Sequence, residues 1–200
     1  GESLEKVATP GQTSIEDVAT YLKVPETRCL KNLIVQGASE LEAPDDQLER
    51  EEASPRLVAL VLRGDHQLNL IKAQKLPGVA NPLRLADDGD ILAATGCKPG
   101  SIGPLGLQIP IYVDRDAAAV ADFVCGANEE GVHYRGANWV RDQPLAAADI
   151  VDIRNVVPGD AAPDGSGELQ FLRGIEVGHI FQLGTIYSEP MQAKVLDKNG

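Results

Sequence analysis

Aromatic residues and cysteines are scarce in this sequence of 200 residues. Phe, Trp and Tyr make up only 4% of it although 43% is hydrophobic, so the core must be built from aliphatic side chains. Cys29, Cys97 and Cys125 are far apart and odd in number, which excludes a disulfide framework and the usual zinc spacings. No apolar run reaches the roughly 18 residues of a membrane span. We therefore expect a cytoplasmic protein without membrane attachment.

Positive charge is also in short supply. The chain has 18 Lys and Arg against 30 Asp and Glu, a net charge of -12 at pH 7. Phosphate contacts supply most of the affinity of nucleic-acid-binding proteins, so this balance argues against a free-standing nucleic-acid binder. A protein of this charge that meets RNA would touch only a small end of it, or would depend on another domain for the rest.

The common catalytic motifs are missing as well. The three histidines are far apart in the sequence, and none belongs to an HExxH motif or lies near a CxxC motif: His66, His133 and His179. The sequence contains no Ser-His-Asp or Cys-His arrangement that we would defend, no P-loop and no GxGxxG. We therefore predict no metal, no nucleotide cofactor and no covalent nucleophile in this chain.

Helical and strand patterns alternate along the chain. The patterns predict helices over 15–22, 67–76, 87–94 and 117–123. They predict strands over 30–35, 57–62, 83–85, 109–113, 133–139 and 148–154, the second of them central because it is continuously apolar. The acidic segment 39–55 is predicted as an exposed hairpin loop or insertion, and 158–167 as a linker at a boundary. This order favours a mixed sheet with helices around it.

The run Gly100-Ser101-Ile102-Gly103-Pro104 is the strongest internal candidate for a site. Glycines allow backbone amides to point into a concavity, and the proline stiffens the exit. Such a nest holds a carbonyl oxygen or a developing oxyanion. The alternative is a loop that merely turns the chain.

Each of three further residues has two possible interpretations, one functional and one structural. Lys31 in the strand over 30–35 either binds a phosphate or extends to the rim of the sheet. Asp114 at the end of the strand over 109–113 either serves a site or caps a helix. His133 either recognises a substrate or is a half-buried histidine with a structural partner.

The chain resembles the insertion domain of bacterial-type prolyl-tRNA synthetases, which is similar to the YbaK-type trans-editing deacylases. The most specific segment is 173–185, with the sequence RGIEVGHIFQLGT. The other matching segments are 9–11, 57–66, 100–104, 113–115, 123–128, 133–134, 138–142, 152–155 and 163–165. The resemblance implies an α+β fold with a mixed, strongly curved, barrel-like sheet surrounded by helices.

The resemblance also implies an activity, the hydrolysis of alanine wrongly esterified to tRNA for proline. Water would attack the ester without a protein nucleophile. The partners would be the 3′ CCA end of tRNA(Pro) carrying alanine and the rest of the synthetase chain, whose parent enzyme would be a homodimer using ATP and Mg²⁺. The editing domain itself would need no cofactor. The alternatives are a non-catalytic module that positions the acceptor end and a free-standing deacylase, against which segment 173–188 argues.

Site residues follow from the same resemblance. Lys31 would hold the terminal adenosine phosphate, and Gly100, Ser101 and Gly103 would orient the ester by their amides. Asp114 matches the family's pocket aspartate, and His133 matches the histidine that helps to select the amino acid. The remaining candidates for the pocket are Cys29, Leu33, Ile102 and Pro104. The domain boundaries would be a linker at 1–9, the editing domain at 10–165 and the returning aminoacylation domain at 166–200.

Overall fold

The structure, a computed structural model, describes residues 1–38, 56–175, 177–194 and 196. The chain divides into two compact units, Gly1–Asn155 and Val156–Gly200. The segment 39–55, predicted as a hairpin loop or insertion, lies outside the described residues. Among the helices of the described part, none is both long and apolar enough to cross a bilayer.

The regular elements of the described residues all lie in the first unit. Its strands are β1 (Glu5–Ala8), β2 (Leu30–Gln36), β3 (Leu57–Arg63), β4 (Ile111–Asp114), β5 (Phe123–Gly126), β6 (Val132–Ala137) and β7 (Ile150–Val151). Its α-helices are α1 (Ile15–Leu22), α2 (Leu70–Ala73), α3 (Asp88–Thr95), α4 (Arg115–Ala118) and α5 (Trp139–Asp142). Two 3-10 turns cover Glu26–Arg28 and Ala147–Asp149.

The strands form two sheets whose edges are linked. One sheet has the antiparallel order β1-β6-β5, and the other has the order β2-β3-β4-β7. In the second sheet β2 and β3 are antiparallel, whereas β3, β4 and β7 are parallel. A parallel bridge between Cys29 and Val124 connects the edge at β2 to the edge at β5. The predicted α+β class with a mixed sheet is confirmed.

Strand β3 is central, as its apolar run predicts. Its residues Leu57 to Leu62 are buried, so both faces of the strand are covered. One face packs Leu60 and Leu62 against Ala73 and Ile153. The opposite face contributes to the cluster that contains Phe123 and Trp139.

Helix α1 is confirmed at the predicted bounds. Ser14 caps its N-terminus, since the Ser14 hydroxyl accepts the Asp17 N–H at 3.1 Å. The helix ends at Lys23, which has the left-handed conformation with φ 56°. Its buried face, with Val18, Ala19 and Leu22, covers Cys29 and Val124 and thereby the link between the two sheets.

The predicted helix over 117–123 is wrong in its position. Helix α4 covers only Arg115–Ala118, and Phe123 begins strand β5 as a fully buried residue. Between them Asp122 has φ 50°, which turns the chain and breaks the helix. The run of alanines suits a helix, but burial of Phe123 in the core decides the conformation after it.

Smaller differences concern element ends. The helix predicted over 67–76 is limited to Leu70–Ala73, and Leu85 makes only an isolated bridge with Val35. Trp139 starts α5 rather than ending a strand. Residues Glu5–Ala8, within the predicted linker 1–9, form the edge strand β1 on β6. The ends and types of these elements are determined by pairing between residues that are distant in the sequence, and the local sequence pattern does not reveal that pairing.

Candidate active site

Several predicted site residues lie in one row across the linked sheets. His133 on β6 is paired with Gly126 on β5, and Lys31 on β2 is paired with Leu62 on β3. Cys29 and Val124 form an isolated parallel bridge and pack in the same cluster under α1, and Lys31 and Gly126 each follow two residues later in their strands. Because residues two apart in a strand project from the same face, His133, Gly126 and Lys31 share one face.

Asp114 continues this row at its other end. Val113 is paired with Val61, so Asp114 follows at the level of Leu62. The row therefore runs from His133 through Gly126, Lys31 and Leu62 to Asp114. The topology thus brings together residues from five strands, most of which are far apart in the sequence.

The loop 100–104 lies directly on the glycine in the middle of the row. A Cβ on Gly126 would overlap the backbone of Ser101 and Ile102, and a Cβ on Gly103 would overlap the Gly126 carbonyl group. Two glycines are therefore needed for the loop to approach the strand so closely. The loop backbone therefore lies against the residue of β5 that is paired with His133.

Hydrogen bonds fix the loop to the turn between β5 and β6. The Ser101 carbonyl accepts the Asn128 N–H at 2.9 Å, and the Ser101 hydroxyl accepts the Gly131 N–H at 3.1 Å. The Gly103 N–H donates to Asn128 Oδ1 at 2.9 Å. Asn128 Nδ2 in turn donates to the Leu105 carbonyl at 2.8 Å. Asn128 thus acts as a clamp that holds both ends of the loop.

The hydrogen bonds of Asn128 determine which backbone N–H groups of the loop remain available to a substrate. The Gly103 N–H, predicted to face the substrate, is already engaged by Asn128. The N–H groups of Gly100, Ser101 and Ile102 make no hydrogen bond within the part of the chain that the structure describes. These three amides are therefore the candidate donors to a carbonyl oxygen. Gly100 has φ 103°, a conformation that favours glycine and starts the loop.

His133 is buried and held by a hydroxyl group. Its Nδ1 lies 2.6 Å from Thr9 Oγ1, and Thr9 is itself fully buried. Burial lowers the pKa of His133, so the imidazole is neutral at pH 7. A neutral ring has one donor and one acceptor nitrogen, which suits recognition of an uncharged group.

Lys31 is a half-buried lysine in a strand whose neighbours are apolar. Burial lowers its pKa, whereas the carboxylates of Asp65 and Glu26 act in the opposite direction. A partly desolvated ammonium group gains much from an added anion, because its attraction to that anion is weakly screened. This environment is consistent with the predicted phosphate contact.

Asp114 is fully engaged with backbone donors. One carboxylate oxygen accepts the Asp116 N–H at 3.1 Å and caps α4, and the other accepts the Ile153 N–H at 3.0 Å. This is the helix-capping alternative of the sequence analysis. Asp114 therefore holds the end of β4 to the segment that follows β7.

A charged cluster surrounds Asp114 at the end of β3. Arg63 pairs with Asp65 and also donates to His66 Nε2 at 2.8 Å, while Asp116 pairs with Arg154. Burial and Arg63 lower the pKa of His66. The nearest ligand atoms of His66, Asp114 and Asp116 lie within 4.8 Å of one another, as in some metal sites. Here Arg63 and Arg154 supply the positive charge that balances the carboxylates, so we interpret the cluster as a structural network of ion pairs.

The remaining predicted pocket residues are part of the packing. Cys29 is buried under α1, and Ile102 packs with Ile34 and Ala59. Leu33 lies on the same face of β2 as Lys31 and is half-buried, and Pro104 is fully buried. Ile102 and Pro104 thereby anchor the loop in the core, and a contact of these four residues with a substrate stays a prediction.

Sequence reasoning missed the residues that organise the site. Gly126 ends a strand of otherwise large side chains, and an isolated glycine in a strand is a signal of close backbone approach. Thr9 and Asn128 have no comparable signal, because their partners lie more than twenty residues away. Asn32 carries a second unforeseen feature, since its buried amide nitrogen and oxygen have no hydrogen-bond partner among the described residues.

Comparison with known proteins gives a consistent result. The chain matches the aminoacyl-tRNA editing domain family over residues 9–142. A crystal structure of a proposed trans-editing enzyme for prolyl-tRNA synthetase is 21% identical, with a TM-score of 0.58 over 76% of this chain and 87% of that chain. The structure of hypothetical protein APE2540 is 22% identical, with a TM-score of 0.55 over 76% of this chain and 92% of that chain. At these identities the solved structures show the fold, while the match over 9–142 spans more than half of the chain. The protein therefore belongs to the aminoacyl-tRNA editing domain family.

Proposed function

We propose that this domain hydrolyses the ester of alanine mischarged on tRNA(Pro), as the editing domain of a prolyl-tRNA synthetase. The observation that supports the proposal is the close approach of the loop to Gly126, the pairing partner of His133, together with Lys31 on the linked strand β2. An aminoacylated CCA end offers a group for each of them: a phosphate for Lys31, an ester for the loop amides and an amino acid side chain for His133.

The loop amides supply the electrostatic part of the mechanism. The N–H groups of Gly100, Ser101 and Ile102 donate to the ester carbonyl and to the oxyanion that forms when the ester is attacked. Lys31 binds the phosphate of the terminal adenosine and thereby sets the position of the ester. His133 stands at the amino acid end of the pocket.

Water is the nucleophile in this proposal. Burial raises the pKa of Cys29 to about 11 and also raises the pKa of Cys97 and Cys125, so none of these thiols forms a thiolate at neutral pH. The Ser101 hydroxyl is used as an acceptor for the Gly131 N–H. The attacking water is positioned by backbone groups and by the terminal hydroxyl of the tRNA.

Selectivity for alanine follows from size. A synthetic pocket that admits proline cannot fully exclude a smaller amino acid, since a missing methylene is worth only about 1–3 kcal/mol. A second site that accepts alanine but is too small for proline corrects the error.

Exposed apolar side chains in the second unit support the proposal that this domain is part of a larger enzyme. Several apolar side chains between 171 and 181 are exposed, including Phe171, Leu172, Ile175, Val177 and Ile180. A soluble protein rarely leaves so much apolar surface uncovered, so this segment needs a partner surface. In the proposal that surface is the aminoacylation domain of the synthetase, which uses ATP and Mg²⁺.

The test is hydrolysis of alanyl-tRNA(Pro), with prolyl-tRNA(Pro) as the substrate that should be spared. We expect Lys31→Ala to reduce the rate by about 100-fold, the loss that follows when a reacting group is misplaced by about 1 Å. Lys75→Ala is the control, because Lys75 is an exposed lysine on the segment after α2. Full activity of Lys31→Ala would contradict the assignment of Lys31. No hydrolysis by the wild type, alone or in the full synthetase, would favour a module that only positions the acceptor end.

A further inference from the structure

Thr9 is buried and fixed at both of its backbone groups. Its N–H donates to the Gly131 carbonyl at 2.7 Å, and its carbonyl accepts the Gln12 N–H at 3.1 Å. The turn that starts with Pro10 and Gly11 follows at once. The position of the Thr9 hydroxyl is therefore set by the backbone, and it lies 2.6 Å from His133 Nδ1.

The hydroxyl has a single hydrogen, and its direction determines the tautomer of the ring. In the described residues, His133 Nδ1 is the only hydrogen-bond partner of the Thr9 hydroxyl. If Nδ1 carried the proton and donated it, the hydroxyl hydrogen would be buried without an acceptor. A buried donor without a partner is unfavourable, whereas a hydroxyl oxygen that accepts nothing is tolerated better. The balance favours Thr9 as the donor and Nδ1 as the acceptor.

We propose that Thr9 is a positioning residue that fixes His133 with its proton on Nε2, so that the ring presents an N–H donor to the substrate. The inference rests on the proposed function. In this tautomer His133 donates to an oxygen atom of the aminoacyl ester. It cannot accept a hydrogen bond from the α-ammonium group of the amino acid, because its acceptor nitrogen is used by Thr9.

The geometry of the row agrees with this role. His133 is paired with Gly126, on which the loop 100–104 rests, so the ring and the loop amides serve the same region. The loop amides and the imidazole would then all be donors directed at oxygen atoms. Burial keeps the ring neutral, and only a neutral ring has a tautomer to be fixed.

The first measurement is ¹⁵N NMR of the histidine ring nitrogens at pH 7, with the His133 signals assigned by their loss in His133→Gln. We expect a protonated Nε2 and an unprotonated Nδ1 in the wild type and in Thr9→Ser, which retains the hydroxyl. Thr9→Val has nearly the same shape without the hydroxyl, and we expect it to give a mixture of tautomers. A wild-type ring protonated on Nδ1 would overturn the proposal, even if Thr9→Val does not fold.

The second measurement is the ratio of the kcat/KM values for alanyl-tRNA(Pro) and prolyl-tRNA(Pro). We expect Thr9→Val to lower this ratio by about tenfold, the scale of one misplaced polar contact, and Thr9→Ser to restore it within about twofold. In the background of His133→Ala, Thr9→Val should have no further effect, because Thr9 acts through the ring. An unchanged ratio in Thr9→Val would overturn the role in substrate recognition. If the wild type hydrolyses neither ester, the proposed function fails, and the NMR result still decides whether Thr9 fixes the tautomer.

Discussion

At the scale of single residues, Asn32 combines a polar side chain with an apolar environment. It lies on the face of β2 opposite to Lys31 and is paired with Val61 on β3. Both polar atoms of its amide are buried without a hydrogen-bond partner in the part of the chain that the structure describes. A buried amide of this kind destabilises the fold by about 1–3 kcal/mol, and most native proteins avoid it.

Asn32→Leu is expected to raise the free energy of unfolding by about 1 kcal/mol, because leucine has a similar shape and no polar group to desolvate. Urea unfolding followed by the fluorescence of Trp139, the single tryptophan, measures the change. Asn155→Leu is the comparison, since the Asn155 amide does have a partner in the Leu68 carbonyl. A destabilised Asn32→Leu protein would show that the amide is satisfied in solution.

Residue chemistry was only partly predictable from the sequence. The positions of Lys31, His133 and the glycines of the loop follow from local patterns and from the family resemblance. Asp114 shows the limit, because a carboxylate at a strand end has the same sequence context whether it caps a helix or serves a substrate. Its two backbone donors, from Asp116 and Ile153, become visible only in the fold.

At the scale of elements, the contact between the loop 100–104 and β5 is the critical one. It is a contact of backbone with backbone, with no room for a Cβ on either side. The clamp formed by Asn128 and the anchoring of Ile102 in the core hold the loop in this place. The loop is therefore a rigid part of the fold, which is what preorganised amide donors require.

Gly126→Ala is expected to lower the free energy of unfolding by about 1–3 kcal/mol and to abolish most of the deacylation, because the added methyl group displaces the loop. Gly89→Ala is the matched control. A Cβ at Gly89, in α3, meets nothing within 4 Å. Alanine in a helix should therefore raise stability by about 0.5–1 kcal/mol and leave the activity unchanged.

The deacylation rates and urea midpoints of both variants distinguish the effects. Loss of activity in Gly126→Ala without loss of stability would indicate that the loop moves as a unit. Full activity in Gly126→Ala would show that the contact with β5 does not position the amides.

Elements were predicted well where local pattern and burial agree. The capping serine and the spacing of apolar residues determine α1, and six consecutive apolar residues determine the centre of β3. The segment 117–123 failed because its alanines favour a helix while the core requires Phe123 in a strand. Strand β1 was missed because a short, mostly exposed edge strand has no burial pattern of its own.

At the scale of the whole molecule, two buried imidazoles couple stability to pH. Burial lowers the pKa of both His66 and His133 below the ordinary value of 6.5. On acidification the unfolded chain binds protons at these positions before the folded chain does. The free energy of unfolding is therefore highest above the ordinary histidine pKa of 6.5, and it decreases as the pH falls from there toward the lowered pKa of the folded state.

The free energy of unfolding should fall between about pH 7 and pH 5, by at most about 1.4 kcal/mol per pH unit for each imidazole. Urea unfolding at a series of pH values provides the slope. His66→Gln and His133→Gln should each reduce the slope, and the double variant should remove most of it. An unchanged slope in the double variant would contradict this assignment, because a carboxylate such as Asp65, whose pKa Arg63 lowers, takes up its proton only at lower pH.

The hydrogen-bond donors of the loop belong to the main chain, and this has a consequence for mutational scanning. Replacing Ser101 or Ile102 by alanine keeps the N–H group at each position, so a scan of side chains would report the anchoring of the loop by the Ser101 hydroxyl and the Ile102 side chain and would not detect the donors themselves. Replacement of a single peptide bond by an ester at Ser101 or Ile102, by chemical ligation, would remove one donor at a time. We would then expect the deacylation rate to depend directly on the backbone N–H groups. Side-chain substitutions would mainly identify the residues that hold this backbone in place.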